Sequence, residues 1–307
     1  MAEKIIFENV TDFDPNQIFD CGQCFRWEPV ESNCTGAGGD RLHGHSFGSS
    51  SMYRGVVGNR IGLVTYDFRK SRLVIYDSLL ATGECTVAQS RKFWHHYFDL
   101  DRNYSAIKKK LSRGDGVMKA AIKEGSGIRI LNQDPWETLI SFIISQNNNI
   151  PRIKGCIENL ARVLGENLGY SSGGREFYSF PKPETLAKAE PADLAPCRLG
   201  YRDKYLIEAA RQYLEWGMPE DAEGLLKFSG VGPKVANCIA LFGMGLIDSF
   251  PIDVWMRRVM NRLYEIPEED IKGMTAFAQK NFAPYGGIAQ QYLFYYITHK
   301  GVDKPFE

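Results

Sequence analysis

The stretch LLKFSGVGPKVANCIALFGMG, residues 225–245, determines how the second half of this chain is interpreted. Two stretches of helical pattern flank the turn Ser229-Gly230-Val231-Gly232, whose glycines allow a tight turn and the close approach of another chain. Pro233 follows at the first helical position, where a missing N–H costs nothing. The free N–H groups at such a helix start form an anion site suited to a phosphate. An ordinary corner between two helices would give the same short pattern.

Two ionisable side chains near this turn are candidates for chemistry. Lys234 lies in the first turn of the second helix, where the positive end of the helix dipole disfavours a charged amine. A lysine that loses its proton easily is a candidate nucleophile, although a lysine after a turn is usually a solvated surface residue. Asp253, nineteen positions later in FPIDVW, is a lone carboxylate just before a helix. Aspartate commonly caps helices, and both roles can hold at once.

The rest of the chain predicts strands first and helices afterwards. Before about residue 93, short β-branched or aromatic runs alternate with turns, which is typical of strands. The predicted strands are Lys4–Val10, Met52–Gly58, Arg60–Tyr66 and Arg72–Tyr76. Residues 31–51, rich in Gly and Ser, are interpreted as a flexible loop. Later segments are helical: DPWETLISFIIS with Asp134 as its N-cap, RIKGCIENLARVLG, RDKYLIEAARQYLEWG, PKVANCIALFGMG, VWMRRVMNRLY and IAQQYLFYYITHK.

This order predicts an α+β fold. An antiparallel β domain is expected over residues 1–128, and a mostly α-helical domain over residues 129–307, with the hairpin at about residues 219–244. The 307 residues suffice for two such domains. No apolar run is long enough to span a membrane, and the N-terminus lacks the features of a secretory signal. We therefore expect an intracellular protein, in the cytoplasm or nucleoid of a bacterium or the nucleus of a eukaryote.

Charge and cysteine content give weaker indications. The formal net charge is zero, which argues mildly against a nucleic-acid partner. A protein that contacts only a short stretch of nucleic acid nevertheless needs only local positive charge. Such basic clusters are Lys108-Lys109-Lys110, Arg152 with Lys154, and Arg257-Arg258. The seven scattered cysteines do not indicate a disulfide framework. The CxxC pair Cys21 and Cys24 has no second ligand pair nearby, so no metal site is expected.

Several motifs in a fixed order resemble one family. The pair GVGPKVANC and PIDVWM resembles the helix-hairpin-helix glycosylase superfamily. Three further segments narrow the resemblance to the 8-oxoguanine DNA glycosylase/lyase family and its bacterial, clostridial-type members: CGQCFRW at 21–27, SQNNNIPRI at 145–153 and LGYRDKY at 199–205. The segment GIAQQYLF at 287–294 agrees with this family as well. The resemblance runs from about Phe7 to His299, with residues 31–51 outside it.

The resemblance implies a role for each matching residue of the reaction site. Lys234 would attack C1′ of the deoxyribose and form a Schiff base, while Asp253 would stabilise positive charge on the sugar. Gly22 would accept the N7–H that 8-oxoguanine has and guanine lacks. Gln290 would read the Watson–Crick edge of the flipped base. The remaining substrate-binding residues are Cys238 and Phe294, which would cover the two faces of the base, and Pro251.

The resemblance also implies contacts to the duplex. Asn147 and Tyr201 would hold the duplex open after the base has left the stack. Arg152 and Arg202 would hold the orphaned cytosine, since the guanidinium fork suits bidentate contact with a base edge. From the residues alone, the Asn147-Asn148-Asn149 run would indicate a helix terminus and Tyr201 a turn.

The hairpin turn and one departure from the family pattern complete the predicted interface. Gly230, Val231 and Gly232 would grip a backbone phosphate without reading sequence. Trp255, also placed among the DNA-contacting residues, stands where eukaryotic members carry histidine, so any hydrogen bond made by that histidine is replaced or lost. The sequence has no four-cysteine cluster near its C-terminus, which separates it from the iron–sulfur branch that includes endonuclease III.

The predicted function is a bifunctional DNA glycosylase and AP lyase of base excision repair. It would act on 8-oxoguanine in double-stranded DNA, preferably opposite cytosine, as a monomer with no metal, organic cofactor or membrane partner. A first alternative is a glycosylase of the same fold for alkylated or other oxidised bases, for which Gly22 and Gln290 are the discriminating residues. A second is a non-catalytic DNA-binding module, against which Lys234 and Asp253 together argue.

Overall fold

A computed structural model of the chain describes residues 4–30, 52–172 and 175–301, so the loop predicted at 31–51 lies outside the described residues. The first half is built on five strands: β1 (Ile5–Phe7), β2 (Trp27–Pro29), β3 (Met52–Val57), β4 (Arg60–Asp67) and β5 (Arg72–Asp77). They form an antiparallel sheet in the order β1-β5-β4-β3-β2. This sheet confirms the predicted antiparallel first half.

Alternating burial along the strands explains why these residues form a sheet. On β5, Leu73, Ile75 and Asp77 are buried, while the residues between them are only half-buried. A period of two places one face of the strand on the core. All four predicted strands are confirmed with slightly different ends, but β2 was not predicted. It is a three-residue edge strand that ends in Pro29, and so carries little strand pattern.

Helices make up most of the remaining chain. Those of the first half are α1 (Pro15–Phe19), α2 (Ser78–Ala81), α3 (Val87–Tyr97), α4 (Tyr104–Leu111) and α5 (Gly116–Glu124). They are followed by α6 (Pro135–Ser145), α7 (Ile150–Leu164), α8 (Pro183–Lys188), α9 (Asp203–Trp216), α10 (Ala222–Leu225), α11 (Pro233–Phe242), α12 (Val254–Tyr264), α13 (Ile271–Phe282) and α14 (Gly286–Lys300). The predicted N-cap is confirmed, because the Asp134 carboxylate accepts from the Glu137 N–H at 2.8 Å. In the described part, no helix is both long and apolar enough to cross a bilayer.

The hairpin at the centre of the sequence interpretation has one short helix and one long one. α10 is a single turn of four residues, and tight turns continue it as far as Gly230. Gly230 has φ +78°, a conformation that ends the helix and favours glycine. α11 then begins with Gly232 as its N-cap and Pro233 at its first position, as predicted.

Two large hydrophobic cores and one small cluster organise the described residues. One lies between the sheet and α3, around Trp94 and Phe98. The other joins α6, α7, α9, α11, α12, α13 and α14, and it also contains residues of α4 and α5 such as Tyr104 and Met118. Burial therefore groups α4 and α5 with the helical half, although both precede the predicted domain boundary at residue 128, which stays a prediction.

A second, two-stranded sheet within the helical half was not predicted. It pairs β6 (Asn167–Ser172) with β7 (Arg175–Tyr178). Phe177 of β7 packs on Val56 and Ile61 of the large sheet, and the guanidinium of Arg54 lies 4.7 Å from its ring centroid. β7 thus packs the helical half against the large sheet. The glycine and serine content of β6 hides the strand from pattern analysis.

A histidine at the end of α14 predicts a pH-dependent contact between the two halves. His299 Nε2 lies 3.5 Å from the carboxylate of Asp20, and this contact is the main cause that raises the pKa of the imidazole. Stability from the protonated imidazole is full below its ordinary pKa of 6.5 and is lost as pH rises through the folded-state value. His299→Gln should therefore lower the free energy of unfolding more at about pH 5.5 than at about pH 8.5, by less than about 1 kcal/mol because Asp20 is exposed. Urea unfolding at both pH values checks this, and an equal loss of unfolding free energy at the two pH values would contradict it.

Candidate active site

One pocket at the junction of the two halves brings together all the residues predicted for catalysis and base binding. They are Gly22, Lys234, Cys238, Pro251, Asp253, Gln290 and Phe294. Four residues that the sequence interpretation missed also line it: Cys21, Phe142, Phe242 and Gln291. The cavity is about 50 Å³, room for only about one or two water molecules, so a larger planar ligand enters only when side chains move. A larger cavity of about 480 Å³ beside β1 and α3 contains none of the predicted residues.

Lys234 stands at the start of α11 with its amine against apolar surroundings. Its side chain is half-buried, and Nζ lies 5.5 Å from the ring centroid of Phe142. Cys238, one helical turn further along, is buried. Burial raises the pKa of the Cys238 thiol, although hydrogen bonding and charge from Lys234 oppose the rise. The thiol is therefore a neutral, polarisable surface beside the amine.

Asp253 serves as the N-cap of α12 and also lines the pocket. Its Oδ1 accepts a hydrogen bond from the Met256 N–H at 2.8 Å, which confirms the capping role. Its charge also contributes to raising the pKa of the Cys238 thiol, and Asp253 lines the same pocket as Lys234 and Cys238. The cap fixes this carboxylate on one side of the pocket, where it can face a positive charge that develops on a ligand.

Gly22 approaches the pocket from the β-rich half. Its φ is +75°, a conformation that side-chain-bearing residues adopt at a cost. A Cβ at this position would lie 3.4 Å from Cε1 of Phe294. The backbone of Gly22 and the ring of Phe294 therefore face each other across the pocket, and a methyl group on Gly22 would be in van der Waals contact with the ring.

The neighbouring Gln23 holds in place the segment between α1 and β2, residues 20–26, which we call the Gly22 loop. It is buried, and its Nε2 donates to the carbonyls of Ile18 at 3.0 Å and Arg129 at 2.8 Å. Its Oε1 accepts from the Leu131 N–H at 2.8 Å, and its backbone carbonyl accepts from Gln133 Nε2 at 2.6 Å. The sequence interpretation missed this positioning residue, because a glutamine inside CGQC gives no sign of being buried.

A matched pair of glycine substitutions separates backbone strain from the pocket contact. Gly22→Ala and Gly58→Ala both place a Cβ at positive φ, and each should cost about 1 to 2 kcal/mol of unfolding free energy. Only Gly22→Ala meets Phe294, because a Cβ at Gly58 has open space. We expect Gly22→Ala alone to slow base release, by about tenfold or more. Denaturant unfolding and single-turnover release measure the two effects, and equal release rates for both variants would contradict the expectation.

The residues predicted to hold the duplex open are at the surface. Tyr201 is 57% exposed, and its ring packs edge-on against Tyr205 with centroids 6.0 Å apart. Asn147 is exposed and has φ +45°, at the end of α6. Arg152 is exposed in the first turn of α7, whose N-cap Asn149 accepts from the Arg152 backbone N–H at 3.0 Å. These side chains are free to contact a ligand that lies across this surface.

Arg202, by contrast, is buried and largely occupied. Its Nε and Nη2 donate to the carbonyl of Gln146, its Nη2 also to that of Asn147 at 3.1 Å, and its Nη1 to that of Leu199 at 3.0 Å. Of the five guanidinium N–H donors, one is left. In this structure Arg202 therefore supports the segment between α6 and α7, residues 146–149, which we call the Asn147 loop. Bidentate contact between Arg202 and a cytosine would require some of these hydrogen bonds to break.

The hairpin turn is tied to the same loop. Gln146 Nε2 donates to the Gly230 carbonyl at 2.6 Å, and a Cβ on Gly230 would lie 3.0 Å from Cβ of Tyr205. Trp255 is 40% exposed in the first turn of α12, and the guanidinium of Arg258 lies 5.1 Å from its ring. The Gly230-Val231-Gly232 turn and Trp255 are the other groups predicted to contact DNA.

The CxxC pair is buried beside this region. Both Cys21 and Cys24 are buried and free, and burial raises the pKa of the Cys21 thiol to about 12. Nowhere in residues 4–30, 52–172 and 175–301 do three or more His, Cys, Asp or Glu side chains gather as metal ligands would. The two thiols therefore belong to the packing of the loop.

Comparison with known proteins places this geometry in a class. Residues 5–139 match the family described as 8-oxoguanine DNA glycosylase, N-terminal domain, and residues 140–284 match the HhH-GPD superfamily of base excision DNA repair proteins. A probable N-glycosylase/DNA lyase of Methanothermobacter thermautotrophicus is 32% identical over 67% of this chain and 72% of its own length. The fold and the site together define a DNA glycosylase with lyase activity, built on a helix-hairpin-helix.

Two solved structures narrow the class further. The 8-oxoguanine glycosylase/lyase of Clostridium acetobutylicum, in complex with double-stranded DNA containing cytosine opposite 8-oxoG, has a TM-score of 0.83 and 35% identity, covering 97% of this chain and 96% of that one. The protein MBOgg1, in complex with a low-affinity DNA ligand, has a TM-score of 0.84 and 37% identity over 98% of this chain and 97% of that one. This chain belongs to the 8-oxoguanine DNA glycosylase/lyase family.

Proposed function

We propose that this enzyme excises 8-oxoguanine from double-stranded DNA, preferably opposite cytosine, and then cleaves the strand through a Schiff base on Lys234. The observation that carries the proposal is that Lys234 and Asp253 line the same pocket. Apolar and amide side chains suited to a planar base line it with them. The related Clostridium acetobutylicum protein, solved with such DNA, supports the same substrate. The enzyme acts as an intracellular monomer, and the reaction requires no metal or organic cofactor.

The reaction begins with the neutral amine of Lys234. Nζ bonds to C1′ of the deoxyribose, the C1′–N9 bond breaks, and the base leaves with the bonding electron pair and takes up a proton. The carboxylate of Asp253 stabilises the positive charge that develops on the sugar. The amine then loses a proton, the C1′–O4′ bond breaks as O4′ takes up a proton, and the opened sugar is held as a protonated Schiff base. Loss of a C2′ proton from this imine breaks the C3′–O3′ bond and cleaves the strand on the 3′ side.

Recognition of the flipped base uses groups from both halves of the chain. The Gly22 carbonyl accepts the N7–H that distinguishes 8-oxoguanine from guanine. Cys238 and Phe294 cover the two faces of the base, with Pro251 at the pocket wall, and Gln290 reads its Watson–Crick edge. Unstacking a base costs a few kcal/mol, which these contacts and those to the backbone offset.

Contacts on the exposed surface hold the opened duplex. Tyr201 and Asn147 fill the space that the base leaves, and the Gly230-Val231-Gly232 turn binds a backbone phosphate. Trp255 contacts the backbone beside the lesion. Arg152 contacts the orphaned cytosine. Arg202 contacts the same base after it gives up a hydrogen bond to the backbone carbonyl of Gln146 or Asn147.

A lesion panel tests the proposal against the alternative of a glycosylase for alkylated bases. Release should be measured under single-turnover conditions from duplexes with 8-oxoguanine opposite C, A, G and T, and from duplexes with alkylated purines. We expect release of 8-oxoguanine to be fastest opposite cytosine and alkylated purines to stay in place. Faster release of alkylated purines would favour the alternative, and no release of any base would reduce the chain to a DNA-binding protein.

A further inference from the structure

We infer that Gln291 is a specificity-determining residue of the base pocket, whose side-chain carbonyl accepts a hydrogen bond from an N–H on the Watson–Crick edge of a guanine-type base. The inference rests on the proposed function, because it concerns the same pocket and substrate. Gln291 follows the edge-reading Gln290 on α14 and, like it, lines the pocket. It is only 3% exposed, which is unusual for a glutamine.

The hydrogen bonds of Gln291 leave one atom unused. Its Nε2 donates to Oε1 of Gln290 at 2.8 Å, so the two amides are joined. Its own Oε1 is buried and accepts no hydrogen bond from any described residue. Across the described residues, two other buried side-chain atoms lack a partner, Arg26 Nη1 and the Tyr292 hydroxyl, and neither residue lines this pocket. A buried acceptor without a donor costs free energy of folding. A ligand that brings the missing donor into the pocket would explain why this acceptor is left without one.

The chemistry of the purine edge fits this arrangement. A carbonyl oxygen has two lone pairs, so Gln290 Oε1 can accept from Gln291 and from a ligand together, while Gln291 Oε1 offers a further acceptor. 8-Oxoguanine presents two neighbouring donors, N1–H and the 2-amino group. 8-Oxoadenine shares the C8 carbonyl and the N7–H but has an unprotonated N1 and a C2–H at those positions. Gln291 therefore favours the guanine-type base and leaves N7–H recognition at Gly22 unaffected.

Gln291→Met tests the inference, because methionine has similar length and no strong hydrogen-bonding group. Single-turnover release should be measured for 8-oxoguanine and for 8-oxoadenine, each opposite cytosine. We expect the rate ratio of the two lesions to fall by about tenfold or more in the variant, through slower release of 8-oxoguanine. We also expect its melting temperature to stay close to that of the wild type, because the substitution removes a buried acceptor that lacks a donor together with the hydrogen bond that Gln291 donates to Gln290.

The outcomes separate this inference from the proposed function. Gln279→Met, at an exposed position of α13, is the matched control and should leave the ratio unchanged. A wild-type enzyme that releases no 8-oxoguanine would overturn the proposed function and the inference with it. A wild-type enzyme that releases 8-oxoguanine, with an unchanged ratio in Gln291→Met, would overturn the inference alone. A lower melting temperature with equal slowing on both lesions would assign Gln291 a purely structural role and would also overturn it.

Discussion

Lys234→Gln is expected to abolish covalent trapping of 8-oxoguanine duplexes by borohydride and to slow base release by at least about a thousandfold. Glutamine keeps the length and polarity of the side chain but has no amine to form the imine that borohydride reduces. The fold should persist, because the Lys234 amine lies near the Phe142 ring and the Cys238 thiol and forms no salt bridge with a described residue. Gel separation of cross-linked DNA and single-turnover release measure the two effects.

A second lysine provides the control for this substitution. Lys280 is exposed on α13 and does not line the pocket, so Lys280→Gln should trap and release as the wild type does. A Lys234→Gln protein that still cross-links to lesion DNA would show that another amine is the nucleophile.

Asp253→Asn is expected to slow base release by about a hundredfold or more while leaving stability nearly unchanged. Asparagine caps helices as well as aspartate does, so the hydrogen bond from the Met256 N–H can persist. What is lost is the negative charge that faces the sugar as its C1′–N9 bond breaks. Single-turnover release and denaturant unfolding of the same preparation give the two quantities.

Asp270→Asn is the matched control for the capping role. Asp270 caps α13 by accepting from the Gly273 N–H at 2.8 Å, at an exposed position away from the pocket. Both substitutions should change the free energy of unfolding by similar, small amounts, and only Asp253→Asn should slow release. Similar release rates for the two variants would limit Asp253 to its structural role.

Most of the fold could be predicted because the strands and helices obey strong periodicities. α12 begins and ends where the VWMRRVMNRLY pattern does, and Asp134 and Pro135 mark the start of α6. The failures include the regular helices α3, α4, α5 and α13, which were not predicted, and two strands whose residues have weak propensity. β2 is a three-residue edge strand, and the Gly- and Ser-rich β6 is held by its pairing with β7, which tertiary contacts stabilise.

The catalytic pair was within reach of local reasoning, but the pocket as a whole was not. Lys234 and Asp253 are at helix starts, where residue type and position indicate a chemical role. Gly22 and Phe294 are 272 positions apart in sequence, and their contact depends on how α14 packs against the Gly22 loop. Periodicity contains no information on such a contact, and the family resemblance supplied it.

Buried polar groups were the least predictable part of the site. Gln23 and Gln291 look like ordinary surface glutamines in sequence, because nothing local shows that their amides are enclosed. The guanidinium of Arg202 likewise gives no sequence sign that backbone carbonyls already occupy it. Only the packed structure shows which donors and acceptors are left for a ligand.

The central claim is that the amine of Lys234 bonds covalently to deoxyribose, and locating the reduced adduct tests it most directly. The enzyme would be trapped with borohydride on an 8-oxoguanine duplex opposite cytosine, digested with nuclease and protease, and mapped by peptide mass spectrometry. We predict that the sugar adduct lies on Lys234 in the peptide that spans GVGPKVANC. An adduct confined to another lysine or to the terminal amine would contradict the claim.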